Sequence, residues 1–350
     1  MSLAFHRDER GIAAVVLIVS MVFIVAALAL VIDGGNLFSH RRAIVNATDA
    51  AALAAAQAYA MAEGGAACGS NDGPATGAAD SAATANASSS TRIFYACPSS
   101  AGAGTVRVGY QSTVPGLFAG NHVTNAAATA AWGPTLGGPG LMPFQLDSTK
   151  VTGACGVPNP VPGATCVFWY DNDTTSSEWG FLNLCSADAA AHGFCPSNKV
   201  GWNVSTTAQC PNSGGLSNTV ITDGFPYALT MNPTPPTYVC IDTGFVQSDF
   251  AAIQIGKEAT FPVAIQPPIL KNGKPDKYSI IGFTALKILF VGRGNQAQTI
   301  TECGAPPSWV TPPLAGTQCI KMQWLGPREV PGDICPTCQD LGVRSIKLQS

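Results

Sequence analysis

The chain has 350 residues, 46% of them hydrophobic and only 11% charged, with a net charge of −3; about 25% charged is usual for a soluble domain. That length allows one or two domains with a real core, and the scattered Lys and Arg give no electrostatic footprint for nucleic acid. Ser, Thr, Asn, Gly and Pro take the surface role instead, a profile that suits an exported chain better than a cytosolic one.

Residues 1–10 read as a short cytoplasmic tail in which Arg7, Asp8, Glu9 and Arg10 roughly cancel. Gly11 to Ile32, "GIAAVVLIVSMVFIVAALALVI", is then free of charge throughout. As a helix it is roughly 33 Å long at about 1.5 Å per residue, against a bilayer core of about 30 Å. The apolar region of a signal peptide usually runs about 7 to 15 residues and closes on a small-residue cleavage site. This run is longer and meets Asp33 without such a site. A helix apolar on every face is either deeply buried or spans a membrane, and a buried soluble helix of that kind is rare at the extreme N-terminus, so residues 11–32 predict a transmembrane helix.

Helical periodicity continues beyond the span. One column holds Leu37, Ile44, Ala51 and Ala58, and its neighbour holds Phe38, Val45, Ala52 and Tyr59. Together they predict a continuous apolar packing stripe, with Arg41, Arg42, Asn46, Asp49 and Gln57 around it. Alanine near its end lets another backbone approach closely, Gly34 and Gly35 permit a bend, and Gly64-Gly65 ends the helix.

The stretch "RDERGIAAVVLIVSMVFIVAALALVIDGGNLFSHRRAIVNATDAAALAAA" resembles the N-terminal module of the TadE/TadG-like proteins of the bacterial tight-adherence (Flp) pilus machinery. The features that carry the resemblance are an Arg-Gly entry, the apolar span, a Val-Ile-Asp-Gly-Gly exit, an aromatic, a basic pair and the Asn-Ala-x-Asp-Ala-Ala-Ala-Leu-Ala-Ala-Ala run. They cover about residues 7–56. The resemblance implies prepilin-type processing between Gly11 and Ile12. It also has a departure: the TadE branch commonly carries Glu after Gly-x-Ala-Ala-Val, where this chain has Val16.

Residues 64–104 turn to Gly, Ala, Ser, Asn and Asp and read as a loop or partly disordered excursion, pinned by a Cys68 to Cys97 bridge. Val106, Val108 and Tyr110 alternate, Pro115-Gly116 interrupts, and Val123 to Trp132 is strand-like again. Two strands about a turn would give the long helix a small sheet, completing a first unit at residues 33–134. A Pro- and Gly-rich linker opens a second unit at residues 135–350. Short β-prone runs recur there: "CVFWYD", "WGFLNLC", "TYVCI", "ATFPVAI", "YSIIGFTALKILFV" and "IKMQWL". "DTGFVQSDFAAIQIG" would hold one short helix. The fold class expected is α+β: one transmembrane helix extended into a long exported helix, then a disulfide-rich, mostly antiparallel β domain.

All twelve cysteines (Cys68, Cys97, Cys155, Cys166, Cys185, Cys195, Cys210, Cys240, Cys303, Cys319, Cys335 and Cys338) follow the span, and their number is even. Arg and Lys near the two ends of the span pull in opposite directions, so the cysteines decide orientation: N-terminus inside, bulk of the chain in an oxidising space outside. They are expected to be structural disulfides, paired largely between neighbours such as 155 with 166, 185 with 195 and 335 with 338. Cys335-Pro-Thr-Cys338 lacks room for a thioredoxin-like unit after it, and a zinc site from Cys303, Cys319, Cys335 and Cys338 is the weaker alternative. "DNDTTSSE" (171–178) fits only the first two ligands of a calcium loop and reads as a polar turn. His122 and His192 in the exported region have no nucleophile elbow near them, and there is no phosphate-binding loop.

No catalytic, cofactor-binding or metal residue is therefore expected. The resemblance implies a non-enzymatic, membrane-anchored component of Flp pilus assembly, minor or accessory and pilin-like. Its partners would be the lipid bilayer and other pilus-assembly proteins or like helices, with no nucleic acid. A membrane-tethered extracellular binding or adhesion protein unrelated to pili is the alternative.

Overall fold

A computed structural model describes residues 5–62, 73–97, 103–116, 120–157, 163–170, 177–211, 218–232, 234, 236–242, 252–271, 274–293, 301–310 and 317–349. The chain opens with two helices, α1 (Phe5–Ala60) and α2 (Gly73–Asn86), followed by β1 (Thr91–Ala96), β2 (Gly104–Pro115), β3 (Asn121–Pro134), β4 (Gly137–Gly138) and β5 (Phe144–Asp147). Next come α3 (Ser148–Thr152), β6 (Thr165–Tyr170), β7 (Trp179–Phe181), α4 (Ala187–Ala191), β8 (Trp202–Val204), α5 (Asn218–Asp223), β9 (Leu229–Thr230) and β10 (Thr237–Cys240). The long pair β11 (Glu258–Lys271) and β12 (Lys274–Arg293) precedes β13 (Gln318–Trp324), β14 (Arg328–Glu329) and β15 (Val343–Gln349).

α1 is a single helix of 56 residues, helical through Gly34-Gly35. Every large apolar side chain from Val15 to Ile32 is exposed, and the helix is long and apolar enough to cross a membrane. From Ile44 onward its character reverses. Ile44, Ala47, Thr48, Ala51, Ala52, Ala55, Ala56, Tyr59 and Ala60 are all buried, at spacings of three and four. That is one face of a 3.6-residue helix. Small side chains on this face let neighbouring elements approach the helix backbone closely.

Two elements cover the face. The first is α2, whose Ala75, Ala79 and Ala83 are buried at i, i+4 and i+8. The stretch expected to be a loop between residues 64 and 104 thus contains a helix and strand β1. Pro74 sits where a proline is tolerated, in the first helical turn. The second element is an antiparallel sheet of order β1-β2-β3-β15-β14, with β14 parallel to β15. β2 and β3 form the expected hairpin, in unbroken register from Gly104↔Trp132 to Pro115↔Asn121. Val106, Val108, Tyr110, Ala128, Ala130 and Trp132 of this sheet share one core with the alanines of α1 and α2. The sheet draws β14 and β15 from residues 328–349, so the unit expected at 33–134 takes in the C-terminal strand as well.

The second sheet runs β6-β13-β12-β11-β5-β7, with β10 pairing β12 and β8. All its pairs are antiparallel except β5 with β11. The β-prone runs of the sequence fall on β6, β7, β10, β11, β12 and β13. Both faces are buried: Phe144, Trp179, Phe261, Leu286 and Ile288 belong to one core, and Trp202, Tyr278, Ile280, Phe283 and Ala285 to the other. Burial on two faces explains why the β12 sequence reads as a nearly unbroken apolar run. The short helix expected in "DTGFVQSDFAAIQIG" falls largely on residues 243–251, outside the described residues.

Arg344 of β15 joins the two ends of the fold. Its side chain is 1% exposed, and Nη1 donates to the carbonyls of Ala60 (2.5 Å), Ala62 (3.1 Å) and Tyr59 (3.4 Å) at the carboxyl end of α1. Nε and Nη2 donate to Asp340 at 3.1 and 2.7 Å. Replacing Arg344 by Met leaves those carbonyls and Asp340 without their donor. A loss of about 3 to 5 kcal/mol is the expectation for a broken buried pair. Urea titration of the oxidised, detergent-solubilised protein checks it, and a change within about 0.5 kcal/mol, typical of an inconsequential surface site, would refute the assigned weight.

Candidate functional site

The functional surface of this chain is built around α1, because one helix carries an exposed apolar half and a buried small-residue half. Of the two columns expected to pack, Ile44, Ala51, Ala52 and Tyr59 lie in the chain's own core. Leu37 and Ala58 are half-buried, while Phe38 and Val45 are exposed, at 64% and 40%. Position along the helix accounts for Phe38: the core under the first sheet reaches α1 only from Ile44 onward, and Phe38 precedes it. Within that part the buried face follows spacings of three and four. Gly11 and Ile12, the expected processing position, lie inside α1.

The carboxyl end of the helix is held by aromatic and polar contacts that the sequence reading did not single out. Tyr59 stacks on Trp132 with ring centroids 4.7 Å apart, and Tyr95 Oη donates to Tyr59 Oη at 2.9 Å. α2 is fastened to the sheet through Asp80, which accepts from Arg92 Nη1 and from Tyr110 Oη, each at 2.8 Å. Burial, followed by that bond to Asp80, pushes the Tyr110 phenol far above its ordinary range. Arg344 supplies the cation that the last turn of α1 lacks, where carbonyls are unsatisfied and the helix dipole is negative. In the sequence Arg344 stands in "VRSIKLQ", a strand that also carries Ser345, Lys347 and Gln349, so nothing local marks it as the cap of a distant helix.

Farther along the chain the cysteines pair as Cys155–Cys166, Cys185–Cys195, Cys210–Cys240, Cys303–Cys319 and Cys335–Cys338. Cys97 is also disulfide-bonded, and Cys68 lies outside the described residues. Cys303, Cys319, Cys335 and Cys338 thus sit in two separate bridges, which removes the thiolates a zinc site would need. Among the described residues no group of three or more His, Cys, Asp or Glu could hold a metal ion. Asp171 and Asp173 of the calcium-like stretch are outside the described residues.

Glu178, at the end of that stretch, is buried. Lys150 Nζ lies 2.9 Å from its carboxylate, and Trp169 N donates to it at 3.0 Å. Of the two histidines beyond the long helix, His192 is exposed on α4's C-cap with its ring stacked on Tyr227, and His122 is half-buried at the start of β3. A groove of about 540 Å³ opens beside β15, lined by Trp132, Leu136 and Ile334, with the Lys347–Asp333 pair (2.8 Å) at its rim.

The half-exposed, half-buried helix coincides with a recognisable module. Residues 11–58 match the family model described as putative Flp pilus-assembly TadE/G-like. The match ends within the alanine face of α1 and leaves the sheets outside it. No curated protein and no solved structure matches the chain. The TadE/G-like module therefore comprises the apolar helix and the face by which that helix is seated on the first sheet.

Burial raises the Glu178 pKa, with Lys150 and the Trp169 N–H pulling the other way. Between the ordinary carboxylate value and the raised one, the folded state holds a proton that the unfolded state releases. Stability conferred by this residue therefore falls as pH rises through that window and stays lower above it. Glu178→Gln keeps the shape and removes the titration. Urea midpoints measured from about pH 4 to 8 should show the variant gaining on the parent as pH rises; a constant or shrinking difference would contradict the assignment.

Proposed function

We propose that this protein is a non-enzymatic, single-pass membrane component of Flp pilus assembly, with its N-terminus cytoplasmic and its disulfide-rich β domain outside the membrane. The observation that carries the reading is that the matched TadE/G-like module is a helix with every large apolar side chain from Val15 to Ile32 exposed, continuous with a face seated in the chain's own sheet. The helix holds the chain laterally in the bilayer. Exposed Leu28, Leu30, Phe38 and Val45 leave it open to like helices or to other assembly proteins. Structural disulfides confined to the region after the span support the outside placement.

The same geometry favours a minor or accessory role over that of a main filament subunit. The alanine half of α1, the part best suited to close helix packing, is already covered by α2 and the first sheet. Val16 stands where an acidic residue is common in the TadE branch, which favours an uncleaved accessory that retains Met1 to Gly11.

Deleting the gene in its bacterial host should abolish or strongly reduce surface Flp pili. The protein itself should remain in the membrane fraction, not in sheared filaments, and alkaline phosphatase fused after Ser350 should be active. N-terminal sequencing should begin at Met1 or Ser2; a start at Ile12 with recovery in filaments would make it a processed pilin-like subunit. Unchanged piliation would instead favour a tethered binding protein, for which the groove beside β15 is the candidate ligand site.

A further inference from the structure

We infer that the membrane-proximal end of the exported fold is an anionic-phospholipid docking surface, centred on Phe38, Arg41 and Arg42 of α1. The inference rests on the anchoring reading above and specifies which lipid chemistry that end recognises.

At about 1.5 Å per residue, Phe38 lies about 9 Å and Arg41 about 14 Å beyond Ile32, the last residue of the apolar run. The headgroup layer is roughly 5 to 8 Å deep on each side of the hydrocarbon. Helical side chains tilt toward the amino end, so Arg41 and Arg42 lean back toward the membrane and their long stems let the guanidinium groups reach the headgroups. Both arginines are exposed, and no ion pair engages either among the described residues. With Phe38, Val45 and Asn46 they line a groove of about 240 Å³, and the Arg42 guanidinium sits 5.7 Å from the centroid of the Phe38 ring. A guanidinium held over an aromatic face keeps its N–H fork free for phosphate oxygens.

The folded part of the chain sits at the same level. Asn36 Nδ2 donates to Pro115 O at 3.4 Å, which sets the closed end of the β2–β3 hairpin four residues beyond the apolar run. Gly116 N donates to Gly120 O at 2.9 Å to close that end, and Asn121 and Val123 beside it are exposed. There is no Asp or Glu between Asp33 and Asp49, nor anywhere from residue 103 to 134. Apart from the half-buried Asp33, the end of the fold that faces the bilayer therefore presents cations, amides and an aromatic ring, continuous with the apolar span. Phosphodiester headgroups carrying net negative charge complement it; zwitterionic ones return less.

The test reconstitutes the full chain into phosphatidylcholine vesicles containing trace spin-labelled phosphatidylglycerol or spin-labelled phosphatidylcholine, and reads the fraction of each label immobilised at the protein. Two arginines at the surface should give a preference for phosphatidylglycerol on the order of tenfold. Arg41→Gln with Arg42→Gln should bring it close to parity, Arg41→Lys with Arg42→Lys should keep most of it, and Arg107→Gln on β2 should leave it unchanged. Equal immobilisation of both labels by the parent chain, or a preference that survives the double Gln change, would overturn the inference. Resistance of every variant to alkaline carbonate extraction shows that such a failure concerns the headgroup site alone. Extraction of the parent chain by carbonate would overturn the anchoring reading and the inference together.

Discussion

The guanidinium of Arg344 closes the carboxyl end of a 56-residue helix from a strand 284 positions away in sequence. Apart from that contact the TadE/G-like helix meets the rest of the chain mainly through small side chains, Ile44, the Tyr59–Trp132 stack and the Tyr95–Tyr59 hydroxyl bond. With it, the last carbonyls of α1 acquire donors, Asp340 acquires its counter-ion, and β15 acquires a fixed position between β3 and β14. Burying a cation is expensive, and a well-packed apolar residue of similar volume can equal or exceed such a pair in stability. What the arginine supplies in addition is register. A one-residue slip of β15 would turn Arg344 to the opposite face of the sheet and leave both the helix end and Asp340 unpaired.

How much of this was legible in the sequence depends on the range of the interaction. The apolar span and the long helix could be read because their signal is continuous over many turns. The strands of the second sheet could be read because β12 and its neighbours are buried on two faces and carry β-branched and aromatic runs. α2 was missed for a physical reason: "GPATGAADSAATAN" offers only alanines at positions 75, 79 and 83 to a partner that is itself an alanine face. Neither hydrophobicity nor charge marks such a helix, and its Gly and Ser content reads as loop. The seven-residue columns on α1 lie in the core at Ile44, Ala51, Ala52 and Tyr59, while Phe38 and Val45, near the start of the covered part, are in the open. The role of Arg344 at the helix end could not be placed by local pattern: Asp340 is four residues away, but the carbonyls that the arginine caps lie some 280 residues upstream.

The disulfides divide the labour differently. The described bridges span between 3 and 30 positions: three tie a loop or short helix to a nearby strand, Cys185–Cys195 brackets α4, and Cys335–Cys338 closes a turn. Closing loops of this size restricts the unfolded chain by roughly 3 kcal/mol for a 15-residue loop. None of them connects the long helix to the second sheet. Long irregular connections in the β domain are thus held covalently. Among the described bridges none makes the join between the long helix and the second sheet, which passes through β15, its pairing with β3 and the buried Arg344–Asp340 pair.

That division bears on processing of the amino end. Asn36 of α1 reaches Pro115 of the hairpin, and the buried face of the helix becomes continuous only from Ile44. Removing residues 1–11 would strip charges from one end of the span without disturbing the alanine face, the aromatic stack or the Arg344 cap. The contacts that seat α1 on the first sheet are therefore the same whether the chain begins at Met1 or at Ile12. Loss of residues 1–11 would alter only the amino end of α1, about thirty residues before Ile44, and leave the surface of both sheets unaltered.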